Sequence, residues 1–169
     1  DGLHAADITF TNVEVGADAA IGDPENGLPL IERVADEARI ALCAEAVGAM
    51  DQSLKDTVEY IKTRKQFGVA IGSFQSLQHR AADMFVALEQ ARSMSMFATM
   101  ASDFSDAKER SSAVAAAKVQ VGKSLKFVGQ QSIQLHGGIG MTWEYNLAHH
   151  AKRLVMIAHQ FGDDDHHLK

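Results

Sequence analysis

Between Leu28 and Arg64 the chain carries one proline, Pro29, and apolar residues that return every three to five positions: Ile31, Val34, Ala38, Leu42, Val47, Met50, Leu54, Val58 and Ile61. A proline in the first turn removes no helical hydrogen bond, and this spacing lines one face of a 3.6-residue helix. The stretch is expected to form a single helix about 55 Å long. A compact body of 169 residues has a radius of gyration of only about 15 Å. The chain is therefore expected to fold as an elongated bundle.

The rest of the pattern agrees. Ser73 has the chemistry of an N-cap, and Phe74, Leu77, Ala81, Met84, Leu88, Ala91, Ser95 and Ala98 follow it in 3/4 steps, which predicts a helix to about Ala101. Ser102 to Asp106 breaks the pattern. Val114, Ala117, Val121, Leu125, Val128, Ser132 and Leu135 then share one face of a third helix that stops at Gly137-Gly138. Thr142 is the expected N-cap of a fourth, ending near Ala158. The fold class expected is all-α: an up-and-down, antiparallel four-helix bundle. Ahead of it, Ile8, Phe10, Val13 and Val15 suggest one or two short extended segments, closed by the turn residues 22–27. Residues 1–27 and 28–169 are thus read as an extended lead-in with its linker and as the bundle.

Lys and Arg number 16 against 22 Asp and Glu, a net charge of −6, and 46% of residues are hydrophobic. That composition belongs to a globular protein and excludes disorder or a collagen-like chain. No apolar run approaches the roughly 20 residues of a membrane span. No Lys/Arg run exceeds two residues, which argues against a nucleic-acid or polybasic membrane footprint. The single cysteine, Cys43, lies in an apolar run and is expected to be a small buried hydrophobe in a reducing compartment, hence a cytoplasmic protein. With no initiator methionine and no signal-like opening, the chain reads as a piece of something longer.

Several motifs invite chemistry. His136-Gly137-Gly138-Ile139-Gly140 joins two helices, and its backbone N–H groups suit either a tight interhelical turn or an anion such as a diphosphate. Arg64 and Lys65 end the long helix, where cations complement the dipole or grip a phosphate. Gly122-Lys123-Ser124 imitates a phosphate loop but lies inside a predicted helix and has Ala117 where that motif needs glycine. The tail 163–167 gathers possible metal ligands without the ExxH pairs of di-iron bundles, and no metal is assigned. Met94, Met96 and Met100 are expected to fill the core.

Three blocks follow one another in order and spacing: Arg64-Lys65-Gln66-Phe67-Gly68, then Phe74-Gln75-Ser76-Leu77-Gln78-His79 with Ala82-Asp83-Met84, then Gln134-Leu135-His136-Gly137-Gly138 through Trp143-Glu144-Tyr145. Together they resemble the C-terminal helical domain of flavin-dependent acyl-CoA dehydrogenases. The resemblance covers nearly the whole chain, with residues 7–22 similar to the last strand segment of that family's middle β-domain. Within the family the chain looks most like the small subunits of two-component bacterial enzymes, such as that of pimeloyl-CoA dehydrogenase.

The resemblance implies FAD as cofactor and oxidation of an acyl-CoA to the trans-2-enoyl-CoA, a carboxylate taking the α-proton while the β-hydrogen leaves as hydride to the flavin. It implies an oligomer, a dimer of dimers, in which FAD crosses a subunit boundary, and an electron-transfer flavoprotein as acceptor. Position by position, Arg64, Gln66, Phe67 and Gln75 would meet the adenine-diphosphate part of FAD from one subunit, and Gln134, Gly137 and Gly138 from its neighbour. Arg39 matches an arginine near the acyl pocket. Without the rest of the β-domain, this stretch alone is expected not to catalyse.

The base is where the pattern departs. The family's glutamate stands before a glycine seventeen residues after the Glu-Tyr pair, and counting from Glu144 reaches Phe161, before Gly162. The alternative position, immediately before the long-helix arginine, is Ala38. Glu37 is adjacent to it but turned by about 100°, and Glu45 is on nearly the same face but about 10 Å further along. Glu37 is the remaining candidate within the chain. A base supplied by a partner subunit is the alternative, as is a non-catalytic partner subunit that keeps the fold and the flavin-facing residues.

Overall fold

The computed structural model describes residues 4–169; residues 1–3, the start of the predicted lead-in, lie outside them. The long helix is α1, Leu28–Thr63, with Pro29 in its first turn. A two-stranded hairpin follows, β1 (Lys65–Gln66) antiparallel to β2 (Val69–Ala70), and then a 3₁₀ turn, Ile71–Ser73. Helices α2 (Gln75–Ala101), α3 (Ala107–His136) and α4 (Asn146–His159) complete an antiparallel four-helix bundle, and a one-turn helix α5 (Asp164–His167) closes the chain.

The core lies where the faces of α1, α2, α3 and α4 meet. Cys43, Met50, Met84, Leu88, Leu125 and Ile157 are buried there. Fully enclosed alanines, Ala46, Ala91, Ala98 and Ala117, let the backbones approach closely. The predicted face of α3, Val114 through Leu135, is buried at every position named for it. Cys43 is buried as expected, and loss of water around it pushes its thiol up to about 11 against a small opposing pull from Lys118.

Four expectations need correction. Ser73 does not cap α2: it sits in the 3₁₀ turn with its Oγ donating to the Ala70 carbonyl, and Phe74 precedes the helix. Thr142 does not cap α4 either, because its hydroxyl bonds back to Ile139 at the end of a 3₁₀ turn, Gly137–Met141, and α4 begins at Asn146. Each short polar side chain serves the tight turn before the helix in place of the helix itself. Met96 and Met100 are 63% and 69% exposed and Met94 is half-buried, so this group does not fill the core. Ala91, Ser95 and Ala98 hold the inward face of α2 and turn these methionines outward. Finally, Ile8, Phe10, Val13 and Val15 form no strand among the described residues and are exposed, since a lone segment has no sheet to join.

Candidate functional site

The first site lies at the end of the bundle where α1 finishes, α2 starts and α3 stops. Arg64 leaves α1 with extended backbone and passes into the hairpin, whose closing bond runs from the Ile71 N–H to the Arg64 carbonyl at 2.8 Å. A two-residue hairpin turn of this kind needs positive φ at both central positions. Phe67 (φ 54°) and Gly68 (φ 83°) supply it. For a bulky residue that conformation is strained, yet the Phe67 ring stands 90% exposed, edge-on to Phe74 at 6.2 Å. The hairpin presents the ring outward at a conformational cost.

Opposite the hairpin, α3 ends on Gly137, whose φ of 65° turns the chain out of the helix. Between the two runs a cleft of about 650 Å³, lined by Arg64, Gln66, Phe67, Gln134, Gly137 and Gly138 together with Tyr60 and His136. Six of the predicted cofactor residues thus meet in one place, and the two groups that the resemblance divides between subunits line one cleft of one chain. Gln75, at the start of α2, is exposed and does not line it, although its neighbours Phe74, Ser76 and Leu77 do.

The cleft fits a dinucleotide phosphate. A Cβ built on Gly137 or on Gly138 would meet nothing within 4 Å, so the space before the turn is not filled by the chain itself. Gly140 differs: a Cβ there would lie 2.9 Å from the Cβ of His136, so that glycine serves packing. The bare backbone at 137 and 138 allows close approach of an anion, and the Arg64 guanidinium supplies charge and a planar donor fork.

Sequence reasoning assigned no role to His136. It is only 4% exposed, with Nδ1 2.8 Å from the Ser132 carbonyl, and it stacks on Tyr60 at 4.4 Å. Its Nε2 has no partner among the described residues. Burial lowers its pKa, against a smaller upward pull from the Ser132 bond. A histidine next to a glycine turn was the available signal, but nothing in the sequence reveals the stack.

The second site is at the opposite end of α1. Arg39 donates from Nη1 to Asp36 at 2.9 Å and from Nε to the Phe161 carbonyl at 3.3 Å. Asp36, 2% exposed, also faces Arg110 at 3.5 Å. Lys118 reaches the same loop, donating from Nζ to the carbonyls of Ile157, Ala158 and Gly162. Spacing along a single helix cannot disclose these long-range partners. The places that would hold a base, Ala38 and Phe161, flank the Arg39 bond and carry no carboxylate. Glu37 points to solvent and pairs with Arg33 at 3.2 Å. Glu45 is held by Arg153 of α4 in a two-pronged pair, and those hydrogen bonds keep its carboxyl below the usual range. Along α1 this end lies about 37 Å from Arg64.

In the tail, Asp163 caps α5 through the His166 N–H, and Asp164 pairs with Lys126 at 2.8 Å.

A family model described as the C-terminal domain of acyl-CoA dehydrogenases matches residues 25–168. "Acyl-CoA dehydrogenase IpdE2" of Mycobacterium tuberculosis is 42% identical over 120 residues, which is 71% of this chain and 36% of that protein. Among solved structures, butyryl-CoA dehydrogenase from Megasphaera elsdenii superposes with a TM-score of 0.84 at 29% identity, over 94% of this chain and 41% of that one. PigA, solved with FAD and proline, superposes with a TM-score of 0.72 at 33% identity, over 79% of this chain and 34% of that one. The chain thus spans about a third to two fifths of the length of these relatives.

Proposed function

Since this chain belongs to the acyl-CoA dehydrogenase family through its C-terminal helical domain, we propose that it is the part of a flavin-dependent acyl-CoA dehydrogenase subunit that holds the adenine-diphosphate end of FAD and builds the oligomer. The observation that carries this is the convergence of Arg64, Gln66, Phe67, Gln134, Gly137 and Gly138 on one cleft. Arg64 pairs with the diphosphate, the backbone at 137–138 lies against it, and the exposed Phe67 ring covers an apolar part of the ligand. FAD, when bound, supplies the hydride acceptor for α,β-dehydrogenation of the acyl-CoA.

The distance along α1 bears on assembly. Arg39 and Phe161, at the acyl end in this reading, stand about 37 Å from Arg64, beyond the reach of one dinucleotide. The cleft and the acyl end of one chain therefore serve different FAD molecules, which requires at least a dimer and accords with a dimer of dimers. Leu28, Ile31 and Val34 on the first turns of α1 are exposed and offer apolar surface for the β-domain of the subunit. The proposed setting is acyl-CoA, and so fatty acid, metabolism in the cytoplasm, with an electron-transfer flavoprotein as acceptor.

A second reading is favoured by the base positions. With Ala38 and Phe161 in place, Glu37 exposed and Glu45 locked to Arg153, the chain acts as the flavin-holding partner in a heteromeric dehydrogenase whose other subunit supplies the carboxylate. Anaerobic spectroscopy of the full-length polypeptide tests both. Expressed alone, it is expected to bind FAD and to remain yellow with a panel of acyl-CoAs, and to bleach once the partner subunit is added. Absence of bound flavin overturns the first reading; bleaching without a partner overturns the second.

A further inference from the structure

We infer that the outer face of α2 seats a second copy of this chain, packed antiparallel, α2 on α2, about a two-fold axis at Ser93. The inference deepens the assembly part of the reading above and rests on it for the subunit pair that shares FAD.

Helix α2 is apolar on two sides. Its inward stripe, through Met84, Leu88, Ala91, Ser95 and Ala98, is buried in the bundle. A second stripe in 4/3 steps, Val86, Gln90, Ser93, Phe97 and Met100, lies on the opposite side and is exposed. Such spacing keeps one line of side chains toward a facing helix. Phe85 and Met96 flank this stripe, and Phe104 extends it by one step beyond the helix. The six large side chains on this face, Phe85, Val86, Met96, Phe97, Met100 and Phe104, are between 36% and 69% exposed. At roughly 200 Å² for each whole side chain, they leave about 600 Å² of apolar surface, the upper limit of what a monomer commonly shows. A stable interface takes about 800 Å² from each partner, and between identical subunits about 65% of it is apolar. The face holds what such a contact needs.

It is also complementary to itself, which a two-fold contact demands. Antiparallel apposition about Ser93 sets Val86 opposite Met100 at both ends. The small Ser93 then meets its own copy, where the two helices can approach closely. A recess of about 580 Å³ beside Phe85, Val86 and Gln120 lies on one side of Ser93. Another of about 460 Å³, beside Phe97, Phe104 and Ser112, lies on the other. Met100 of the second copy thereby comes over the first recess. Gln90 accepts from Gln120 at 3.3 Å, and Glu89 beside the stripe is held by Arg92 at 3.0 Å, so the middle of the contact strands no charge. Val86 lies about 14 Å along α2 from Leu77, which still lines the Arg64 cleft. Cleft and face can be occupied together, and the α2 contact joins two FAD-sharing pairs.

The test is sedimentation velocity on the full-length flavoprotein at micromolar concentration, with the flavin-to-protein ratio and circular dichroism read on the same samples. Wild type is expected to run as a tetramer. Phe97→Glu and Met100→Glu, at side chains that already meet water in the single chain, are expected to keep helicity and flavin and to run as dimers. Charges buried without partners weaken the contact by about 100-fold or more. Ser93→Cys is expected to form a disulfide between copies on mild oxidation, since the buried Cys43 is out of reach. Tetramers that persist in both Glu variants overturn the proposal. A Ser93→Cys tetramer that forms no disulfide overturns the two-fold at Ser93, and the proposal with it. Flavin lost together with the tetramer, at unchanged helicity, gives the face to the FAD-sharing pair and overturns it. Release of a different polypeptide by the Glu variants gives the face to that partner and also overturns it. A wild type that runs as a flavin-bearing dimer overturns this proposal and leaves the flavoprotein reading standing. A wild type that assembles without flavin overturns that reading instead, and splitting of its assembly by the Glu variants still supports the α2 contact.

Discussion

Arg39 donates its Nε proton to the carbonyl of Phe161 across 3.3 Å, which ties the first third of α1 to the loop that follows α4. Ala38 and Phe161, the positions where the resemblance would place a base, thus stand on either side of this bond. What holds Arg39 there is Asp36, buried between Arg39 and Arg110. Removing the one carboxylate from such a pair leaves two guanidinium groups uncompensated. Asp36→Asn is expected to destabilise the full-length protein by about 3 kcal/mol in urea denaturation. A loss below about 1 kcal/mol would mean that water already solvates both arginines.

The three glycines of the α3–α4 turn are expected to separate binding from folding. At Gly138 a methyl group meets nothing in the chain, so Gly138→Ala leaves apoprotein stability within about 0.5 kcal/mol but fills ligand space and weakens FAD binding. Gly137 has φ of 65°, and alanine there adds about 1 kcal/mol of backbone strain. At Gly140 the added Cβ collides with His136 and the Ile133 backbone, so Gly140→Ala loses about 1–3 kcal/mol in the apoprotein. Thermal melts paired with FAD titrations check the order, and equal FAD affinity in Gly138→Ala would remove the cleft's claim to the diphosphate.

Much of the bundle was legible because a 3.6-residue period survives packing: Val114, Ala117, Val121, Leu125, Val128, Ser132 and Leu135 are buried as their spacing predicts. The hairpin was not, since strands as short as Lys65–Gln66 and Val69–Ala70 leave no alternation to detect. Met96 and Met100 were misplaced because they were read by residue type, apart from the 3/4 stripe that Ala91, Ser95 and Ala98 continue and that faces inward. Arg64 and the Gly137-Gly138 turn were legible as possible anion contacts, and Gln66, Phe67 and Gln134 only through family resemblance. Arg110 beside Asp36, the Ile157 carbonyl that Lys118 reaches and the Tyr60 ring on His136 belong to other helices, and no local pattern encodes them.

Arg64 is expected to matter through geometry as well as charge. Its backbone is fixed between α1 and the hairpin by the Ile71 bond, so the side chain starts from a rigid base at the cleft edge. Arg64→Ala is expected to reduce FAD affinity by about 10- to 100-fold, as for loss of a charge-assisted hydrogen bond of about 1.5–3 kcal/mol. Arg64→Lys keeps the charge without the planar fork and is expected to fall between the two. Equilibrium dialysis against FAD, with circular dichroism to confirm an unchanged bundle, measures both. Identical affinities for the Ala and Lys variants would show that charge is not what Arg64 contributes.

The pH dependence of stability follows from two imidazoles, the buried His136 and the half-buried His167. Burial lowers the pKa of His136 and of His167 in the folded state, against smaller upward pulls from their backbone partners. The unfolded chain, with ordinary imidazoles near 6.5, therefore binds protons that the folded chain resists. Stability is unaffected by these groups above about pH 6.5 and falls as the pH drops below it, with a slope under about 1.4 kcal/mol per pH unit for each imidazole. The carboxylates held low by hydrogen bonds, Glu45 and Asp51, act with the opposite window: their stabilisation is complete above their ordinary values of 4.5 and 3.8 and is lost only below them. Urea titrations between pH 5 and 7.5 thus isolate the histidines. Wild type is expected to lose stability across that range, and His136→Phe to lose less, so that the gap between them widens toward pH 5. Parallel curves would mean that His136 takes up its proton in the folded state as readily as in water, and that its Nε2 is not sealed.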